Sequence, residues 1–310
     1  MTTTADRPAA PGPARAPAPG RRRGRPLAWL LFVLAVLLLV VGLSLAVGAR
    51  AAPLGTFVDA LAGSDTSADG LVVRELRLPR TVAGLAVGAA LGLAGALMQA
   101  LTRNPLADPG LLGVNNGAAA AMAVAVGVLG LTSTAAIGWS AMAGAAAAAV
   151  VVYLIGATGR SGATPVRLAL AGTAVSAVLL ALTSALVLLQ PETFDRYRSW
   201  QVGALAGADW ATLRDIGPFI AAGVVLALTQ TRALDALALG EDSGRALGAR
   251  TGHTRVLTAL AITLLCGGAT AVAGPLWFIG LAVPHAVRAV TGPSQRRVLP
   301  GCLVVAPALL

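Results

Sequence analysis

Few residues in the sequence have the type and spacing that covalent or acid–base chemistry needs. The two histidines, His253 and His285, stand near the ends of different apolar segments, with no carboxylate or cysteine at metal-ligand spacing. The two cysteines, Cys266 and Cys302, lie inside apolar runs and lack CxxC spacing. The sequence contains no HExxH or GxSxG motif, and no apolar segment carries a pair of acids. We therefore expect no catalytic residue, no metal site and no cofactor.

All 23 basic residues are arginines, and the sequence contains no lysine. A P-loop needs its lysine to bind phosphates, so this chain cannot hydrolyse nucleotides by that route. The net charge of +10 does not predict nucleic-acid binding, because the arginines sit at the ends of apolar segments. That pattern is typical of membrane topology.

The composition places the chain in a membrane. It is 56% hydrophobic and 12% charged, with a mean hydropathy of +0.79, whereas soluble domains carry about 25% charged residues. Its apolar blocks have roughly the 20 residues that cross a bilayer as a helix. Spans are predicted at residues 27–49, 81–102, 110–130, 135–157, 167–190, 213–231, 255–273 and 275–291, with a ninth starting near 299. We predict an all-α, polytopic helical membrane protein.

The arginines also predict the orientation. Residues 1–26 are rich in Pro, Ala and Arg and predict a disordered cytoplasmic tail. The run at 27–49 exceeds the roughly 7–15 apolar residues of a signal peptide, so we interpret it as a retained first span. With the N-terminus inside, sixteen arginines fall on the inner side and seven on the outer side. Residues 191–212 then lie outside, and residues 232–254 lie inside with one or two short surface helices.

Two spans carry polar residues whose roles stay open. Gln99 shares one face of the second span with four glycines, so its amide could contact a transport path or bond to a neighbouring helix. On the fifth span, Gly172, Ser176 and Thr183 lie within about 60° of one another around the helix. They could line a passage or form a helix–helix seam. Residues 103–118, with two prolines, predict a structured connector whose backbone is bonded by Asn104, Asn115 and Asn116.

Several stretches together resemble the FecCD-type permease subunits of ATP-driven importers for iron–siderophores, haem and cobalamin. They are RLPR at 77–80, GAALGLAGALMQALTRNPLADPGLLGVNNGA at 88–118, LALAG at 168–172, WQVGALAG at 200–207, LALGEDSGRALG at 237–248 and AVAGPLWFIGLAVPHAVRAVTG at 271–292. The resemblance covers about residues 27–310 in the family's order.

The resemblance implies a ten-helix permease fold, of which the chain as given lacks the last one and a half helices. It implies a permease domain at 27–310, a second permease subunit, separate ATPase subunits on the cytoplasmic side and an extracytoplasmic substrate-binding protein. Departures from the family pattern occur at Ala204, Gly244 and Trp277. Gly244 stands where the family usually has alanine, so we expect the inside helix to be weaker there.

The resemblance also implies roles for individual residues. It implies that Arg77 and Arg80 dock the binding protein, and that residues 232–254 couple to the ATPase through Leu239, Gly240, Ala246 and Leu247. It implies that Gly172, Ser176 and Thr183 line the pathway. Positions of the family's sequence motifs are occupied by Gln99, Asn104, Pro105, Pro284 and His285. Arg74 lies outside the RLPR motif, next to Glu75, and is a weaker candidate for docking.

The expected function is therefore import of a ferric siderophore or related metal complex, in the cell (plasma) membrane with a cytoplasmic N-terminus. Haem or cobalamin import is the alternative within this class. An ion-coupled carrier or channel and an intramembrane enzyme are alternatives from other classes. No span carries a charge near its middle, which disfavours ion-coupled transport.

Overall fold

The computed structural model describes residues 25–46, 67–158, 164–240 and 250–310. Within these ranges the regular structure is helical and contains no strand. The helices are α1 (Arg25–Ala46), α2 (Ala68–Thr102), α3 (Val114–Gly127), α4 (Thr134–Ala157), α5 (Pro165–Leu189), α6 (Pro191–Gln201), α7 (Trp210–Thr229), α8 (Thr231–Ala238), α9 (Thr251–Ala273), α10 (Ile279–Thr291) and α11 (Gln295–Leu309). The predicted all-α class is confirmed.

Five described helices are long and apolar enough to cross a membrane: α2, α4, α5, α7 and α9. α3 and α10 are shorter apolar helices, as is the Leu31–Ala46 portion of α1. The predicted spans coincide with helices at most boundaries, because each apolar block satisfies its own backbone hydrogen bonds only as a helix. Part of the predicted inner surface helices falls on residues 241–249, outside the described residues; α8 is the part that is described.

Several helices begin about four residues from the predicted start, and two of the differences have a clear structural cause. The second span begins at Ala68 rather than at residue 81, because RELRLPR continues the helix. The span predicted from residue 275 begins as a helix only at Ile279. Gly274 (φ 73°, ψ −179°) and Phe278 (φ 70°, ψ −23°) both have positive φ, which ends α9 and delays α10.

α2 is the central helix of the bundle. Most of its apolar segment is buried, and it packs against α9, α10 and α11. α5 lies at the periphery, with most of its surface exposed, and contacts α3 and α4. A single hydrophobic cluster runs from α2 through α9 to α11.

Glycines on α2 allow this central packing. A Cβ at Gly88 would lie 2.7 Å from Cα of Pro307, and one at Gly92 would lie 2.6 Å from Cβ of Ala306, both on α11. A Cβ at Gly95 would overlap the backbone carbonyl of Gly280 at the start of α10. The sequence-predicted glycine face is therefore the face on which α10 and α11 pack.

Gly95→Ala should destabilise the protein by about 1–3 kcal/mol, because the added methyl group must displace backbone atoms of α10. Gly42→Ala is the matched control: it adds the same methyl group to an apolar helix where nothing lies within 4 Å. Thermal unfolding of the purified protein in detergent measures both effects. Equal melting temperatures for the two variants would contradict the close contact between α2 and α10.

Candidate functional site

The N-terminal end of α2, which the sequence predicts to lie outside, carries the arginine cluster, and Arg77 points into the protein. Its guanidinium donates to the backbone carbonyls of Leu45 at 2.8 Å and Ala46 at 3.3 Å, at the end of α1. Only 8% of Arg77 is exposed. A cation is favourable there because the last carbonyls of a helix have no partner in the helix and carry its negative dipole end. In this structure Arg77 therefore holds α1 against α2.

The helix is locally widened at the same place. Residues 73–77 form a π-helical turn, in which the N–H of Leu78 donates to the carbonyl of Val73. In a regular α-helix that N–H would bond the carbonyl of Arg74. The carbonyl of Arg74 instead accepts the indole N–H of Trp210, on α7, at 3.0 Å. Turns of this type frequently mark functional sites.

Arg80 and Arg74 have exposed side chains. Arg74 lies 3.8 Å from the carboxylate of Glu75, with both side chains 57% exposed, so this ion pair contributes little to stability. Arg80 borders a cavity of about 110 Å³ between α1, α2 and α11. Of the three arginines in RELRLPR, only Arg74 and Arg80 are therefore accessible on the surface of the protein.

Gln99 connects the C-terminal half of α2 to α10. Pro284 lacks an N–H, so the carbonyl of Gly280 loses its partner within α10. The amide of Gln99 donates to this carbonyl and to that of Leu281, each at 3.4 Å. Arg288 in turn donates to the amide oxygen of Gln99. The side chain thus makes contacts between helices, while His285, next to Pro284, is exposed.

The connector between α2 and α3 is held by short polar side chains. Arg103 takes a left-handed conformation (φ 51°) that ends α2. Asn104 accepts the N–H of Leu106 at 3.0 Å, and Pro105 lies within this turn. Asp108, which the sequence analysis did not single out, accepts the N–H of Gly110 at 2.8 Å and caps a 3₁₀ turn, Pro109–Leu112. Burial raises the pKa of the Asp108 carboxyl above its ordinary value, and the bond from Gly110 opposes that shift.

Asn115 does not bond the connector's backbone in the way the sequence predicted. Its amide oxygen accepts from Thr270 at 3.2 Å and from the thiol of Cys266 at 3.5 Å, both on α9. The reason is its position in the first turn of α3, where the buried side chain points towards α9 rather than towards the connector.

The three polar positions of α5 face the rest of the chain. A Cβ at Gly172 would overlap the carbonyl of Leu111 in the 3₁₀ turn. Thr183 is buried, and its hydroxyl donates to Leu179 of its own helix at 2.8 Å. Ser176 is half-buried beside Gly113. This face is a seam within the subunit; Thr173 and Ser184, which border it around the helix, are exposed.

Helix α8 and the residues after it belong to the segment expected to reach an ATPase. Leu234 and Leu237 of α8 are buried, whereas Leu239 is 68% exposed. Gly240 adopts φ 109°, a conformation that few other residues tolerate. Ala246 and Leu247 lie outside the described residues. Among the described residues, no group of three His, Cys, Asp or Glu side chains could hold a metal ion.

Comparison with known proteins assigns the family. A family model described as the FecCD transport family matches residues 36–310. The chain belongs to the FecCD transport family.

Relatives of this FecCD chain cover most of its length. The ferric enterobactin transport system permease protein FepD of Escherichia coli (strain K12) is 47% identical over 279 residues, 90% of this chain and 83% of FepD. The Fe(3+)-citrate import system permease protein YfmD of Bacillus subtilis (strain 168) is 40% identical over 273 residues, 87% of this chain and 81% of YfmD. The family resemblance identified from the sequence is confirmed.

The FecCD fold also matches a solved structure, described as an inward-facing conformation of a metal-chelate type ABC transporter. The TM-score is 0.79 at 23% identity, over 91% of this chain and 88% of that chain. Of the departures from the FecCD pattern, Ala204 donates its N–H to the carbonyl of Ala273 at 2.8 Å, and Trp277 is 53% exposed. Gly244 lies outside the described residues.

Gln99→Leu should lower the free energy of unfolding by about 1–3 kcal/mol, because it leaves buried carbonyls of α10 without a donor. Gln201→Leu, at the exposed end of α6, is the control and should leave stability nearly unchanged. Thermal unfolding and substrate uptake should be measured on the same preparations. An unchanged melting temperature with altered uptake would instead favour a direct contact between Gln99 and the transported molecule.

Proposed function

We propose that this chain is the membrane-spanning permease subunit of an ABC importer and forms the pathway for a ferric siderophore. The observation that supports this most directly is the 47% identity, over 90% of the chain, to a permease of ferric enterobactin transport. The second relative carries a different iron complex, Fe(3+)-citrate, so the relatives share the metal cargo rather than one chelator. The chain itself is not an enzyme.

ATP hydrolysis then belongs to partner subunits on the cytoplasmic side. The absence of lysine from the sequence excludes a P-loop here. We assign the contact with the ATPase to the segment 232–254, with Leu239, Gly240, Ala246 and Leu247 as contact residues. The position of Leu239, exposed at the end of the short amphipathic helix α8, supports this assignment, because such a helix can place apolar side chains in a groove of a partner protein.

On the outer side, we assign docking of a substrate-binding protein to Arg80. Its exposed position and charge suit an acidic partner surface. Docking through Arg77 remains a prediction, and it requires the guanidinium to leave the carbonyls of α1. A second permease subunit completes the pathway. Gly172, Ser176 and Thr183 remain predicted lining residues, while the exposed side of α5 offers Thr173 and Ser184.

The excess of arginines on one side of the spans supports a cytoplasmic N-terminus in the cell membrane. A multi-pass protein in this orientation presents α8 to cytoplasmic ATPases and RLPR to an external binding protein. Both proposed contacts therefore depend on the same topology.

Deleting the gene for this chain in its source organism should abolish ATP-dependent uptake of at least one ferric siderophore. Uptake of radiolabelled iron as a catecholate, a citrate and a hydroxamate complex is to be measured, with labelled cobalamin as the alternative cargo and complementation by the wild-type gene as the control. The deletion strain could instead keep wild-type iron uptake with every complex and lose cobalamin uptake. That result would exclude a ferric siderophore and establish cobalamin as the cargo.

Arg80→Glu should weaken association with the binding protein by roughly tenfold at low salt, equivalent to about 1.4 kcal/mol. The wild-type affinity should itself fall as salt rises, because exposed charges are screened. Arg198→Glu is the matched control, since it reverses an exposed arginine on α6, outside RLPR. Binding is measured with the permease in nanodiscs. Wild-type affinity of Arg80→Glu at low salt would contradict docking through this residue.

A further inference from the structure

The N-terminus of α11 is capped by a residue of another helix. Ser294 occupies the N-cap position, but its hydroxyl makes no bond to the backbone of α11. The carboxylate of Asp235, on α8, accepts the N–H of Gln295 at 2.6 Å and the hydroxyl of Ser294 at 2.8 Å. A carboxylate is favourable at the positive end of a helix dipole, and its bonds there are charge-assisted. α8 and α11 are therefore joined through one side chain.

A second face of α8, formed by Leu234 and Leu237, holds the rest of its attachment to the bundle. Leu234 and Leu237 are buried next to Asp235, whereas Arg232 and Leu239 are exposed. The exposed side is the one available to a protein partner below the membrane. A force applied there reaches the bundle through the two leucines and the carboxylate.

α11 is in turn fixed against two helices. Besides the contacts at Gly88 and Gly92 of α2, a Cβ at Gly301 would lie 2.6 Å from Cγ1 of Val287 on α10. Contacts this close leave α11 no room to rotate or slide without displacing backbone atoms, because packed interiors resist continuous deformation. A displacement at Gln295 therefore moves α11 together with α2 and α10.

The far end of α11 reaches the outer rim. Pro307 and Leu310 border the cavity of about 110 Å³ that Arg80 and Thr81 also line. One helix, bonded to α8 at its start, thus ends beside the arginine assigned to docking.

We propose, on the basis of the ATPase-coupled function above, that Asp235 is a positioning residue that transmits movement of α8 to α11 and from there to α2. Because Asp235 bonds to Ser294 and Gln295, α8 and α11 move together, and movement of the coupling segment reaches the outer rim through α11. When these bonds are lost, the ATPase continues to hydrolyse ATP, but fewer substrate molecules are transported per ATP hydrolysed.

The test uses the complex of this chain with its ATPase and binding protein in proteoliposomes, and the ferric complex that the uptake assay identifies. The quantity measured is the number of ferric complexes transported per ATP hydrolysed. Asp235→Ala should lower this ratio by roughly fivefold or more, the lower end of typical coupling between sites. Asp235→Asn should restore most of it, because the amide still accepts from Gln295 and can donate to Ser294.

Asp209→Ala is the matched control. Asp209 caps α7 through a 2.7 Å bond to the N–H of Thr212 in its own helix, so its loss removes a similar cap without separating two helices. An unchanged ratio in Asp235→Ala, or an equal fall in Asp209→Ala, would overturn the proposal. If Asp235→Ala does not assemble, Ser294→Ala is tested in its place, because it removes one of the two bonds. An unchanged ratio of transported complexes to hydrolysed ATP in Ser294→Ala would equally overturn the proposal. A wild-type chain that binds no ATPase would overturn the proposed function instead.

Discussion

The architecture depends on how closely the backbone of α2 approaches those of α10 and α11. At Gly88, Gly92 and Gly95 a methyl group would meet backbone or Cβ atoms of these helices. In lipid the hydrophobic effect does not drive helices together, so close packing and interhelical hydrogen bonds must do so. Small residues permit the approach, and Gln99 adds the hydrogen bonds. The remaining helices are arranged around this central group.

Polar side chains stabilise the places where the helices are irregular. Pro284 frees a carbonyl that Gln99 bonds, the π-helical turn frees a carbonyl that Trp210 bonds, and Arg77 bonds the end of α1. Each of these bonds joins two helices and satisfies a backbone carbonyl. Such a carbonyl, left unbonded inside a membrane, would cost several kcal/mol. Irregular backbone and long-range contact thus occur together.

The sequence was sufficient to predict the helical class, most span boundaries and the packing role of the α2 glycines, because length, hydropathy and helical spacing are local properties. It did not predict that Arg77 bonds α1 or that Asp235 caps α11. Those contacts join residues about 30 and 60 positions apart. The seam on α5 was left open for the same reason, since spacing places Gly172, Ser176 and Thr183 on one face without saying what that face contacts. A non-local partner is known only once the helices are packed.

We propose that α8, α11 and α2 move as one body between the two sides of the membrane. Spin labels at Arg232 and Leu309, both exposed, report the distance between α8 and the far end of α11. If the three helices move together, one narrow distance distribution is expected, the same in the nucleotide-free and ATP-bound complexes, with a second distance when Asp235 is replaced by alanine. A wild-type distance that shifts on ATP binding would show that α8 and α11 move separately.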